Sequence, residues 1–132
     1  IILQRIRSGS YKFKLTDTKK FLGGVKMNMD LEEIAMTIVG NSGEARSLAY
    51  EALSEAKNGN FEAAEELLKE AREKSLKAHE MQTELICNEA DGNKVEINLL
   101  MVHAQDHLMN SILARELVEE MIEMYKAMGV RK

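Results

Sequence analysis

The chain has 132 residues, 45% hydrophobic and 30% charged, with no proline and 5% aromatics. That is enough for one globular domain with one core, and too little for two. Residues 1–26 set seven basic side chains against Asp17, a balance of +6, so the remainder carries −10 within a net charge of −4. An acidic body argues against nucleic acid as a partner and suits docking on basic protein surfaces. Ala, Leu, Glu, Met and Lys dominate, which favours helix over sheet. No apolar run reaches the length of a membrane span, and no apolar segment is followed by a small-residue cleavage site. The lone Cys87 has no partner for an internal disulfide, in keeping with a reducing, cytoplasmic setting.

Residues 1–26 show no sustained helical period. Leu22-Gly23-Gly24 can be back-translated to include AGGAGGT a few bases before an ATG at Met27, as a translated ribosome-binding site would read. The expectation is that residues 1–28 are a non-native or disordered extension and that residues 29–132 form the domain.

A first helix is expected from Asp30, where Asp30 and Glu33 have the spacing of a capping box. Leu31, Ile34, Ala35, Ile38, Ala45, Leu48, Ala49, Ala52 and Ala56 give it an apolar face. Gly40-Asn41-Ser42-Gly43 is its weak point, because glycine inside a helix costs about 1 kcal/mol. One continuous helix is the preferred reading, with the glycines serving a close backbone approach or an opening beside the third helix. Asn58-Gly59-Asn60 ends it, Asn60 capping the next helix. The second helix is expected from Phe61 to about Asn88, with Ala64, Leu67, Leu68, Ala71, Leu76, Ala78, His79, Gln82 and Leu85 inward. Glu65, Glu66, Lys69, Glu70, Arg72, Glu73 and Lys74 read as a solvated, ion-paired face. Asp91-Gly92 marks the next turn. Val95 to Asn98 reads as an extended entry, with Asn98 as the cap of a third helix that ends near Met128 at Gly129.

That third helix carries the unusual pattern. At 100° per residue, His103, Asp106, His107 and Asn110 share a stripe with Leu99, Ala114, Leu117, Met121, Met124 and Met128, which is expected to be buried. A buried unpaired carboxylate or imidazole costs several kcal/mol, roughly, so the patch needs a hydrogen-bonded network, a metal or chemistry at a subunit interface. Leu100, Val102, Leu108, Met109, Ile112, Leu113, Val118 and Ile122 widen the apolar surface beyond what two neighbouring helices require, which points to a homo-oligomer. Three long helices joined by short turns imply an all-α, up-down-up antiparallel three-helix bundle.

The string VHAQDHLM, Val102 to Met109, resembles the active-site helix of the lactose/cellobiose-type enzyme IIA of the bacterial sugar phosphotransferase system. GEARSLAYEAL (Gly43 to Leu53) is similar to that family's first helix, and Phe61 to Glu89, with AHEMQTELI at Ala78 to Ile86, to its second. EADGNKVEINLLMVHAQDHLM supplies the loop and the third helix, so the resemblance covers about residues 29–128. It implies a cytoplasmic phosphocarrier in which His103 takes a phosphoryl group from HPr and passes it to a cysteine of the IIB component. A neutral imidazole suits that task, since imidazole titrates near ~6.5 and offers one free lone pair. Gln105 and His107 are candidates to hydrogen-bond the phosphate. Gln105 lies off the stripe, where a neighbouring subunit or partner would meet it. His79 and Gln82 are placed to face the same pocket. The resemblance further implies a nine-helix homotrimer in which Asp106 of each subunit holds one structural magnesium ion on the three-fold axis.

Two other readings compete. His103 and His107, four apart, with Asp106 and His79, fit a zinc- or iron-binding bundle, although the paired Glu-x-x-His motifs of di-iron bundles are missing. A non-catalytic interaction module with a Met-rich face is the other. The imported sugar is not legible.

Overall fold

A computed structural model describes residues 30–130. The expectation for residues 1–28 lies outside the described residues. Three α-helices account for nearly all of the rest: α1 (Leu31–Lys57), α2 (Phe61–Ala90) and α3 (Leu99–Ala127). No strand occurs among the described residues; Val95 to Asn98 is neither helix nor strand, and Asn98, at φ −122° and ψ 173°, is extended where α3 begins.

The ends of the helices follow from backbone geometry more than from side-chain caps. Asp30 is extended, at φ −66° and ψ 148°, and its carbonyl accepts from the Ile34 amide at 3.0 Å. Its carboxylate makes no capping hydrogen bond, so the expected box with Glu33 is not formed; Glu32 and Glu33 still place negative charge in the first turn. Gly59, at φ 78°, turns the chain after α1, and the Asn60 amide closes back on the Glu55 carbonyl at 2.9 Å. Asn60 was expected to cap α2; its side chain instead donates to Glu55 Oε2 at 2.6 Å, a nearby carboxylate that outcompetes the helix amides. The second turn repeats the arrangement, with Gly92 at φ 92° and the Asn93 amide on the Asn88 carbonyl at 3.0 Å. Asn98 does cap α3, its Oδ1 accepting from the Met101 amide at 2.9 Å.

α1 passes unbroken through Gly40 and Gly43. Its buried positions continue at Ile38, Ser42, Ala45 and Ala49, so tertiary packing carries the helix over two poor helix formers. The Thr37 hydroxyl and the Asn41 amide donate to carbonyls one turn earlier, each at 2.8 Å. A Cβ built on either glycine meets nothing within 4 Å. The expected close backbone approach is therefore absent from the described chain.

The core is divided in two. One cluster joins Ile34, Ala35 and Ile38 of α1 to Ala78 and Leu85 of α2 and Met101, Ala104 and Leu108 of α3. The other joins Ala49, Ala52, Leu53 and Ala56 to Ala64 and Leu68 and to Val118 and Ile122. Between them lie Ser42, Ser75, Ser111 and Arg115, all buried. Polar partners on α2 and α3 pair in opposite order: Glu65 with Lys126, Arg72 with Glu119, Gln82 with Gln105. Lys74 of α2 meets Glu44 of α1 at 2.7 Å.

Two expected faces are displaced. Leu76, placed inward on α2, is 53% exposed, and Ser75 takes its position in the core because it falls in phase with Ala71 and Ala78. On α3 the buried side is Met101, Ala104, Leu108, Ser111, Arg115, Val118 and Ile122. Most of the stripe expected to be buried lies away from this side and is exposed, from Leu99 at 84% to Met128 at 72%, with His107 and Ala114 half-buried. The cause is that α3 carries a second apolar side beside its buried one, so periodicity alone does not say which side meets α1 and α2.

Candidate functional site

α3 positions most of the candidate groups, and its Asn98 cap fixes where their helix begins. His103 falls in the second turn and is exposed. His107, one turn on, is half-buried, and the two imidazoles meet edge to face with ring centroids 4.4 Å apart at 63°. His103 is thus steadied on one side by an aromatic edge and open on the other, an arrangement in which an incoming group can reach a ring nitrogen. Asp106 is also exposed, and one of its oxygens accepts from the Asn110 amide at 2.9 Å.

Gln105 points elsewhere. Two residues along a helix is about 200°, so it lies nearly opposite His103 on α3. There it accepts a hydrogen bond from Gln82 Nε2 of α2, and its own amide rests 3.6 Å from Met101 Sδ. His79 lies one turn before Gln82; its Nδ1 is buried with no hydrogen-bond partner, and its carbonyl accepts from Thr83 Oγ1 at 2.8 Å. The six candidates therefore lie apart within one chain: His103 meets His107, Asp106 holds Asn110, Gln105 pairs with Gln82, and the buried Nδ1 of His79 has no hydrogen-bond partner. Within a single chain Gln82 meets α3 at Gln105, on the flank away from His103.

No three His, Cys, Asp or Glu side chains gather as a metal-binding group among the described residues. Within one chain His103, His107, Asp106 and His79 therefore do not form such a group. No described helix is long and apolar enough to cross a membrane.

The sequence reading missed the polar layer behind the site. Ser111 Oγ donates to the Ser42 carbonyl at 2.8 Å, and Arg115 shares Glu119 with Arg72. The signal was available: Ser42, Ser75 and Ser111 each fall in register with the apolar core positions of their helices.

Comparison with known proteins points one way. Residues 33–126 match the family model described as the lactose/cellobiose-specific IIA subunit of the PTS system. The chain is 50% identical over 97 residues to the N,N'-diacetylchitobiose-specific EIIA component of Escherichia coli, covering 74% of this chain and 84% of that one. It superposes on the crystal structure of the cellobiose-specific enzyme IIA from Bacillus anthracis with a TM-score of 0.72, at 48% identity, covering 76% of this chain and 94% of the other. The chitobiose IIA in the solution structure of the IIA–HPr complex from Escherichia coli is similar as well, with a TM-score of 0.68, 46% identity and coverage of 77% and 99%.

Proposed function

The chain belongs to the lactose/cellobiose-specific IIA family of the sugar phosphotransferase system, and on that premise we propose that it is a cytoplasmic phosphocarrier whose acceptor is His103. A phosphoryl group on HPr breaks its bond to the donor as a ring nitrogen of His103 bonds to phosphorus. The phosphoramidate then yields the group to a cysteine of the IIB component, leaving His103 free. Little covalent work falls to the protein in such a step; positioning and charge neutralisation do most of it. The observation that carries this reading is the exposure of His103, held against His107, inside a segment that matches the family. The relatives named above act on chitobiose and cellobiose systems, so the sugar of this chain is one of that class.

The unit we infer is an up-down-up antiparallel three-helix bundle, three copies of which form a nine-helix homotrimer. Support for the bundle is the reversed pairing order of α2 and α3. Support for the trimer is the exposed apolar side of α3, including Leu117, Met121 and Met124 at 50%, 42% and 62%. Single monomers seldom leave so long an apolar face uncovered. In this assembly Asp106 is repeated three times about one axis, and a hard divalent cation such as magnesium would offset three close carboxylates. Its role would be structural. Gln105, with Gln82 and His79 behind it, would then reach the His103 of a neighbouring copy.

The test is intact-mass spectrometry after incubation with phosphoenolpyruvate, enzyme I and HPr. The expected result is one added phosphoryl group per chain, acid-labile and absent from His103→Ala. No addition to the wild-type chain, with upstream proteins shown to be active, would overturn the reading.

A further inference from the structure

The two apolar clusters are separated by a layer that is buried but polar: Ser42 on α1, Ser75 on α2, Ser111 and Arg115 on α3, each at least nine-tenths buried. Part of this layer is satisfied. Ser111 Oγ donates to the Ser42 carbonyl at 2.8 Å. Arg115 Nη1 is paired with Glu119 Oε1, and Arg72 Nε of α2 donates to the same oxygen at 3.0 Å. Two groups are left over: Ser42 Oγ and Arg115 Nε have no partner in the protein. Buried polar atoms in folded proteins are nearly always hydrogen-bonded, to water where the chain offers nothing. Two orphans in one layer, on helices already joined there by the Ser111–Ser42 hydrogen bond, mark a place rather than two separate defects.

We propose that this layer is an internal hydration site, in which ordered water serves Ser42 Oγ and Arg115 Nε. The donor chemistry selects the ligand. Arg Nε only donates, whereas a serine hydroxyl both donates and accepts, and water meets both demands. A small anion would accept from both groups but would lie close to the Glu119 carboxylate, whose Oε1 already serves two guanidinium groups. Arg72, the exposed member of that trio at 48%, has its charge solvated by water. Apolar interiors stay dry, and polar ones hold water.

The test is a crystal structure of the whole chain at atomic resolution, grown with bromide in the buffer and collected at the bromine edge. Water density within hydrogen-bond distance of Ser42 Oγ and of Arg115 Nε, without an anomalous peak, is the expected result. A bromide peak beside Arg115 would replace water by an anion and overturn the proposal. So would a dry layer in which the Ser42 hydroxyl turns back onto the Ile38 carbonyl. For protein that does not crystallise, magnetisation transfer from long-lived bound water to the Arg115 Nε proton and the Ser42 amide detects the same water. Its loss in Ser42→Ala, with the helical fold intact, is expected, and its absence from the wild-type chain sinks the idea.

Discussion

Asp106 shows how a single side chain takes its meaning from what surrounds it. Within one chain it is an exposed carboxylate with Asn110 on one oxygen, and nothing there asks for a metal. Repeated three times about an axis, the same group would carry mutual repulsion that a cation removes. The prediction is that EDTA weakens the proposed trimer, read by sedimentation velocity at micromolar protein. Asp106→Asn should assemble equally well with and without chelator, since the repulsion is gone. A wild-type trimer indifferent to EDTA would remove the metal from the proposal. At this scale the sequence was legible where a residue has one dominant partner, as Asn98 has in the Met101 amide. It misled where a local competitor exists, as at Asn60, whose amide goes to Glu55. His103 was found through its motif. Gln82 and Gln105 as a pair were not, because that contact depends on the register in which two helices bring together residues 23 apart in sequence.

Among the helices, α1 poses the clearest energetic question. Gly40 and Gly43 sit inside a continuous helix with room for a methyl group at each. Glycine to alanine in a helix interior gains up to about 1 kcal/mol. Gly40→Ala and Gly43→Ala should therefore raise the urea midpoint of the isolated chain. If either variant instead loses stability only at concentrations where the chain assembles, a neighbouring copy packs against that position. The α2–α3 edge makes a second prediction. Glu65 is held below its ordinary 4.5, chiefly by the hydrogen bond from Lys126. Lys126 is raised above its ordinary 10.5 by its hydrogen bonds to Glu123 and Glu65. The depressed carboxylate contributes stability above its unfolded pKa and loses it as pH falls through the folded one. The raised amine contributes below its unfolded pKa and loses it as pH rises through the folded one. Lys126→Met should then cost a constant, small amount near neutrality, below about 1 kcal/mol for so exposed a pair. Its difference from wild type should shrink on acidification through the carboxylate range, in urea titrations at stepped pH. A difference that grows below pH ~4 would contradict this assignment. Helix number and approximate bounds could be read from the sequence because glycine turns and apolar periods agree. The face that α3 buries could not, because its Met- and Leu-rich exposed side matches a core stripe as well as its buried side does.

For the whole molecule, the decisive feature is that His103, the proposed acceptor, and Gln105, its proposed support, lie on opposite flanks of α3. His103 faces outward, whereas Gln105, tied to Gln82, lies about 200° round the helix. In the proposed trimer one chain would carry two half-sites, and a closed ring of three would join each His103 to the Gln105 of the next copy. His103→Ala would remove the proposed acceptor. Gln105→Ala would remove the proposed hydrogen bond to the phosphoryl group of the neighbouring copy, worth roughly tenfold or more in rate. Either variant alone should be defective at every site of its own trimer. In trimers reassembled from equal amounts of the two, about a quarter of the sites would take His103 from one variant and Gln105 from the other, and be intact. The phosphoryl-transfer rate of the mixture, measured with IIB as acceptor, should rise above that of either parent toward about a quarter of wild type. If each chain worked alone, no mixture would exceed the Gln105→Ala parent, because every chain bearing His103 would lack Gln105. An unchanged rate in mixtures shown by mass spectrometry to have exchanged subunits would therefore place the complete site within one chain and force a different role for the exposed face of α3.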